Sequence, residues 1–167
     1  NSGDEDISFG GSLQNDGTFT AGTGVHTFTG ASKTFSGTIS IPSVTISGTG
    51  SSYSNNGTMT VTTLLTVTSP GILTNNGTLT ATTALSGTGT LTQGTNATLN
   101  IGGTSGITTL TATASGNTVN CNGAAQTVKA TTYSNLALSG SGAKSMASGT
   151  TVSGNLSISG TAKASVA

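Results

Sequence analysis

The ionisable side chains are few, and any catalysis would have to be built from them. The 167 residues include four acids, four lysines, one histidine and one cysteine, and the formal net charge is zero. The acids are Asp4, Glu5, Asp6 and Asp16, so all of them lie within the first sixteen residues. Glycoside hydrolysis needs carboxylates gathered over one groove. We therefore expect no enzyme activity, and we assign no catalytic residue.

Metal and cofactor sites are not predicted either. His26 has no cysteine or carboxylate beside it in the sequence and is predicted to be structural. Asp4, Glu5 and Asp6 could bind a cation, but a solvated, charged end is the favoured interpretation. Calcium-binding repeats need an aspartate in each repeat, which this sequence lacks. Cys121 has no second cysteine to pair with, and a buried thiol is predicted.

The composition restricts both the partners and the fold class. Zero net charge argues against a nucleic-acid surface, and no apolar run approaches the roughly 20 residues of a membrane helix. The chain has 37 Thr, 24 Ser and 26 Gly, with only 2 Pro. Thr favours strands and Gly favours turns, whereas disorder usually accompanies high net charge. An all-β protein with many tight turns is expected.

A period of twenty residues organises the sequence. The motif Asn-Asn-Gly-Thr occurs at residues 55–58 and 75–78, and Asn-Asp-Gly-Thr occurs at 15–18. In rows of twenty, polar and apolar columns alternate, which is typical of a strand with one buried face. The first polar column is Thr18, Thr38, Thr58, Thr78, Thr98 and Thr118, and the apolar columns are Phe19, Ile39, Met59, Leu79, Leu99 and Val119, then Ala21, Ile41, Val61, Ala81, Ile101 and Cys121.

One coil of twenty residues cannot bury its own apolar face, whereas stacked coils share a continuous core. We predict an all-β, single-domain β-solenoid (β-helix) of about eight coils over residues 1–167. Residues 1–12 are an acidic N-terminal end segment, and 13–167 are the stacked coils. Asn15, Asn55 and Asn75 share a column and could form an amide ladder.

Two features of the coils stay open at the level of sequence. Each coil could have two or three sides. The repeated segments 135–139 and 155–159 are also twenty residues apart, but they do not continue the earlier apolar columns. Either one coil is short, or another side of the solenoid takes over there.

The C-terminal segments carry a resemblance to a known group of proteins. The sequence from Asn117 to Val128, then Thr131-Thr132-Tyr133-Ser134-Asn135-Leu136 and Val152-Ser153-Gly154-Asn155-Leu156, resembles repeats of very large bacterial cell-surface proteins. These are haemagglutinin-like or autotransporter-passenger-like β-strand repeat proteins, and the Asn-Asn-Gly-Thr-Leu-Thr units look similar. The resemblance covers most of the chain after about Leu13. It implies secretion, surface display and adhesion, and it brings no catalytic motif.

From these patterns we expect a structural extracellular protein at the cell surface, a filament or stalk subunit that assembles head to tail. Solenoid ends expose strand edges, and the sequence shows no C-terminal cap. The predicted end-to-end interface consists of Asp4, Glu5, Asp6, Lys144 and Lys163. The partner is the chain itself or adjoining repeats of a longer chain, without nucleic acid or membrane insertion.

The alternative function is an adhesin region that binds surface glycans or ice through a flat, threonine-rich face. The face predicted for this role consists of Thr18, Thr20, Thr58, Thr60, Thr78 and Thr80. Thr is also simply a suitable polar residue for an exposed strand, which is the plainer interpretation of the column.

Overall fold

The structure of the chain, a computed structural model, describes residues 3–166 and forms a β-solenoid of about eight turns. Within these residues there is no helix, and every strand pair is parallel. The strands are β1 (Ile7–Phe9), β2 (Leu13–Asn15), β3 (Val25–Phe28), β4 (Lys33–Ile46), β5 (Ser52–Asn55), β6 (Thr58–Val67), β7 (Ile72–Asn75), β8 (Thr78–Ala81), β9 (Ala84–Gln93), β10 (Thr98–Ile101), β11 (Thr104–Thr111), β12 (Thr118–Cys121), β13 (Gln126–Val128), β14 (Thr132–Tyr133), β15 (Asn135–Leu138), β16 (Ser141–Met146), β17 (Thr151–Val152), β18 (Leu156–Ile158) and β19 (Thr161–Val166). The all-β solenoid fold predicted from the sequence is confirmed.

Each coil has three sides, which resolves the choice between two and three. In the coil that starts at Thr58, residues 58–61 form the first side, 64–67 the second and β7 the third. We call the three stacks built on these segments face 1, face 2 and face 3. Face 1 runs through β4, β6, β8, β10, β12, β15 and β18.

The alternation of polar and apolar residues in the sequence predicts which side chains form the core. In β8, β10 and β12 the second and fourth residues are buried, and the first and third are partly exposed. Thr78 pairs with Thr98 and Thr98 with Thr118, so identical side chains stack at twenty-residue spacing on face 1. The buried residues form one continuous hydrophobic cluster from Phe28 to Leu138. Stacking, and no disulfide, therefore supplies the core.

Glycine at the corner before face 1 is required by close packing of successive coils. A Cβ atom on Gly77 would lie 2.1 Å from the carbonyl oxygen of Gly57, and one on Gly57 would lie 2.2 Å from that of Gly37. Both distances are far below van der Waals contact. The recurring Asn-Gly-Thr motif thus allows the backbone of one corner to sit directly on the next.

Buried asparagines connect the coils beside this corner. The Asn55 amide Nδ2 donates to Asn75 Oδ1 at 2.8 Å, and Asn75 Nδ2 donates to Gln93 Oε1 at 2.9 Å. Asn15 was predicted to share this ladder, but it is in register with Gly37 and donates to the Thr38 carbonyl instead. The reason is spacing, because Leu13 pairs with Phe35, twenty-two residues further on.

The register change near the C-terminus comes from one short coil. Thr118 pairs with Asn135, seventeen residues later, and both strands belong to face 1. On the other two faces the backbone ladder is interrupted at this point. β13, β16 and β19 form a separate sheet, β14 and β17 form another, and one isolated bridge joins Ala112 to Tyr133. We call this interruption of faces 2 and 3 the seam.

Stacking begins earlier than the predicted boundary after residue 12. Ile7 in β1 is already in register with His26 in β3, so the acidic end segment contributes a strand to the solenoid. The predicted bounds 1–12 and 13–167 also include residues 1, 2 and 167, which lie outside the described residues.

Candidate functional site

The last described coil leaves its apolar side chains uncovered. Leu136 and Leu138 in β15 are buried, and they are in register with Leu156 and Ile158 in β18. Leu156 is 46% exposed and Ile158 is 52% exposed, and Val166 in β19 reaches 78%. Within residues 3–166 no strand pairs with the outer edges of β17, β18 or β19. This end presents core side chains and open strand edges together.

The acidic residues lie at the opposite end of the rod. Asp6 accepts a hydrogen bond from the Val25 amide at 2.7 Å, and Asp4 accepts one from the Thr23 hydroxyl. Asp16 accepts one from the Gln14 amide, and Glu5 is exposed in the same segment. The apolar residues of this end, Ile7, Phe9 and Leu13, are half-buried. The two ends thus differ in charge and in apolar exposure.

Lys163 and Lys144, predicted to lie together in the end-to-end interface, have different environments. Lys163 is exposed on β19, as that prediction requires. The Lys144 side chain is fully buried, and its Nζ donates to the carbonyls of Gly123 (2.8 Å) and Ala124 (2.6 Å) and to Gln126 Oε1 (2.6 Å). Lys144 therefore cannot contact a neighbouring end, which corrects the predicted interface. Its position on β16 faces inward, above Gln126, where corner carbonyls replace water.

Burial changes the acid–base properties of three neighbouring groups. It lowers the pKa of the Lys144 ammonium, and the electrostatic interaction with Cys121 partly opposes that change. Burial raises the pKa of Cys121 to about 11, against a smaller lowering by Lys144. Burial, with Cys121 adding to it, also raises the pKa of Tyr133, whose hydroxyl donates to the Lys129 carbonyl at 2.7 Å. Cys121 is therefore a protonated, buried thiol at neutral pH, in line with its apolar column.

His26 is buried among aromatic rings. Its ring stacks at 6.2 Å on Phe9 and meets Phe19 edge-on at 6.4 Å. Nδ1 lies 3.0 Å from the Gly24 carbonyl, whereas Nε2 has no hydrogen-bond partner among the described residues. Between residues 3 and 166, no group of three or more His, Cys, Asp or Glu side chains is placed to hold a metal ion.

Four of the six threonines predicted for the binding face lie in register on one sheet. Thr58 pairs with Thr78 and Thr60 with Thr80 on the outer surface of face 1. Thr18 and Thr20 lie in the segment 16–24, which forms no strand, so they do not extend this ladder. The surface continues instead through Asn100 and Asn120. Asn120 Nδ2 donates to Asn100 Oδ1, and Asn100 Nδ2 donates to the Thr80 hydroxyl, each at 3.2 Å.

Two further hydroxyl columns were missed in the sequence. On face 2, Thr27, Thr45, Thr66 and Ser86 are in register, and on face 3, Ser54, Thr74, Thr92 and Thr111 are in register. Their spacings vary between 18 and 21 residues, so rows of twenty do not align them. A search that allowed the spacing to vary by two residues would have found both columns.

Shallow clefts of about 270 and 190 Å³ lie at the seam on face 2. They share Ala125, Gln126 and Thr127. The Gln126 Nε2 atom already donates to the carbonyls of Ile101 and Gly103 at 2.8 Å each, so its amide is not available to a ligand. The clefts offer only small side chains and hydroxyls.

No sequence family, no curated protein and no solved structure matches this chain. Residues 3–166 contain no helix of the length and apolarity needed to cross a membrane.

Proposed function

We propose that this chain is a structural subunit of an extracellular bacterial surface filament or stalk, in which solenoids stack head to tail. One observation carries the proposal: the core columns that are buried at Leu136 and Leu138 continue to Leu156 and Ile158 and are uncovered there. In each earlier coil, the equivalent residues are covered by the coil that follows. The simplest cover for the last coil is another coil with the same three sides.

The physical gain from covering this end comes from two sources. Burying the rest of Leu156 and Ile158 is worth about 2–3 kcal/mol, because a full burial of such a side chain is worth about 1.5–3 kcal/mol. Pairing the open edges of β18 and β19 adds parallel backbone hydrogen bonds in the spacing that the solenoid already uses. A coil with a matching edge satisfies both requirements at once.

Charge makes a smaller contribution to the proposed contact. Asp4, Glu5, Asp6 and Asp16 lie near one end, and Lys163 is exposed at the other. With Lys144 buried, one exposed lysine on the last coil faces the four acids. Exposed ion pairs are worth about 0–1 kcal/mol and are screened by salt. We therefore attribute the proposed stacking mainly to apolar burial and strand pairing.

A surface location is supported by composition and resemblance. With four lysines and no arginine, the chain offers few sites for trypsin-like proteases. Parallel stacking of strands in every coil supports mechanical and chemical durability, which suits an extracellular fibre. The resemblance to bacterial surface repeats favours the same setting.

Sedimentation velocity tests the proposed stacking through a matched pair of variants. Leu156→Lys places a charge on the uncovered end, whereas Leu64→Lys makes the same change at a side chain 38% exposed on the side of the rod. We expect wild type and Leu64→Lys to form large species with rising concentration, and Leu156→Lys to remain monomeric. A wild-type chain that stays monomeric at high concentration in low and moderate salt would rule out self-stacking, and adjoining repeats of a longer chain would then be the cover.

A second candidate function is the adhesin role, favoured by the stacked hydroxyls of face 1. Thr58, Thr60, Thr78 and Thr80 form a two-by-two array on one sheet, which a regular hydroxyl-bearing ligand could match. Thermal hysteresis of a wild-type solution, or binding on a glycan array, would support this role. Asn100 and Asn120 replace threonine in the column of Thr60 and Thr80, which limits the two-column array to the earlier coils, whereas the other column continues as Thr98 and Thr118.

A further inference from the structure

The middle of the rod carries no charge. From residue 34 to residue 128 the sequence has no Asp, Glu, Lys, Arg or His. The side surfaces of these coils therefore present only hydroxyls, amides, methyls and isolated apolar groups. Surfaces without charge lack the repulsion that keeps proteins apart, and a molecule of zero net charge has little long-range repulsion either.

Face 1 carries the longest uninterrupted strand ladder of the three sides. Its ladder runs without interruption through seven strands from β4 to β18, whereas faces 2 and 3 are interrupted at the seam. One of its outer columns is held by hydrogen bonds between neighbouring coils, from Asn120 to Asn100 and from Asn100 to Thr80, and Ser139 outside the column donates to Asn120. Side chains that are already ordered lose little entropy when a flat partner covers them.

We propose that face 1 is a lateral self-association surface, on which a second copy of this chain lies side by side. Two arguments select this occupant. A neutral face gives a charged partner no counter-charge, whereas an identical neutral face is compatible with it. A second copy also has the same strand spacing, about 4.8 Å, so the threonine column from Thr38 to Thr118 on one rod can interdigitate with the same column on the other.

The area sets the strength of this contact. Seven strands at that spacing, each about four residues long, give a face of about 440 Å². A stable interface buries about 800 Å² on each partner. One rod alone should therefore associate weakly, and rods already stacked end to end should bundle strongly. The strength of the lateral contact therefore rests on the filament proposed above, whereas its existence does not.

The test uses two double variants of equal charge on different faces. Thr58→Lys with Thr98→Lys places two charges on face 1, two coils apart. Thr74→Lys with Thr111→Lys places two charges on face 3, also two coils apart. Both pairs are made in the Leu156→Lys chain, which the end-to-end proposal expects to be monomeric. The second virial coefficient from static light scattering at neutral pH then reports attraction between the sides of rods. Circular dichroism of both variants checks that the solenoid fold is retained.

We expect a negative coefficient for the Leu156→Lys chain alone and with the face 3 pair, and a positive coefficient with the face 1 pair. A positive coefficient for Leu156→Lys alone, or equal loss of attraction with both pairs, would overturn the proposal. Thermal hysteresis or glycan binding that only the face 1 variant loses would assign the face to that ligand instead. If sedimentation shows no filaments, the face 1 and face 3 variants can still be compared by light scattering. Each proposal can therefore be disproved without the other.

Discussion

At the scale of single residues, the interior holds polar groups by giving them partners from the corners. Lys144 shows this most clearly, because its three ammonium hydrogens meet two backbone carbonyls and the Gln126 amide oxygen. A buried ammonium without such acceptors would cost several kcal/mol. Corner carbonyls of the short coil therefore allow a lysine to occupy a core position in the coil that follows it.

Cys121 provides a prediction about pH. Burial raises its pKa from 9.0 to about 11, so the folded chain holds the thiol proton more tightly than the unfolded chain. The resulting stability is fully present below the unfolded pKa and is lost as pH rises through the folded one. Between about pH 8 and about pH 10, the loss attributable to this thiol is on the order of 1 kcal/mol.

The Cys121→Val variant removes this thiol, and Val61 already occupies the same column. Denaturant unfolding at both pH values should show a smaller decrease in stability for the variant than for wild type, by on the order of 1 kcal/mol. Lys144 has the opposite dependence, but it is present in both proteins. Equal decreases in the two proteins would contradict the assignment to Cys121.

At the scale of the element, the corner before face 1 determines how closely coils stack. We expect Gly77→Ala to destabilise the chain by about 2–3 kcal/mol, because overpacking in a well-packed region has costs of that size. The added methyl would meet the Gly57 carbonyl oxygen at 2.1 Å, and backbone cannot move aside as a flexible side chain can.

Gly17 supplies the control for this substitution, since it belongs to the same motif in the first coil. No atom lies within 4 Å of a Cβ added there. Gly17→Ala should change the unfolding free energy by no more than about 0.5 kcal/mol. If denaturant unfolding gave the same cost at both positions, close stacking of corners would not be the reason for glycine.

The seam leads to a prediction about local stability. Faces 2 and 3 lose their ladders between β11 and the strands that follow, so face 1 alone carries a continuous ladder across it. Hydrogen exchange followed by mass spectrometry should show β13, β16 and β19 exchanging faster than β6, β8 and β10. Uniform protection along the whole rod would mean that core packing around Val128 and Tyr133 compensates for the missing hydrogen bonds.

At the scale of the whole molecule, the fold follows from the sequence wherever the repeat keeps its length. Columns such as Leu79, Leu99 and Val119 predict their own strand, burial and register. Coils of other lengths could not be placed this way. The register changes where a coil is shorter or longer than twenty residues, as between Thr118 and Asn135 (seventeen) and between Leu13 and Phe35 (twenty-two). The corners absorb these differences, and a regular period does not predict how they do so.

The candidate site was predictable only in part, for a similar reason. The uncharged hydroxyl column at Thr58 and Thr78 follows from strand alternation. The burial of Lys144 does not, because a lysine is normally expected at the surface and only the inward carbonyls of the short coil make its position favourable. The distribution of lysines along the sequence therefore overestimates the positive charge that is exposed at the end of the rod.

In the proposed filament, the first coil of one chain covers the exposed last coil of the next. Negative-stain electron microscopy of the wild-type chain at neutral pH tests it most directly. Head-to-tail stacking predicts long, uniform filaments with an axial repeat of about 38 Å, which is the length of eight coils at the parallel-strand spacing. Short, separate rods about one chain long at every concentration would contradict head-to-tail assembly of this chain.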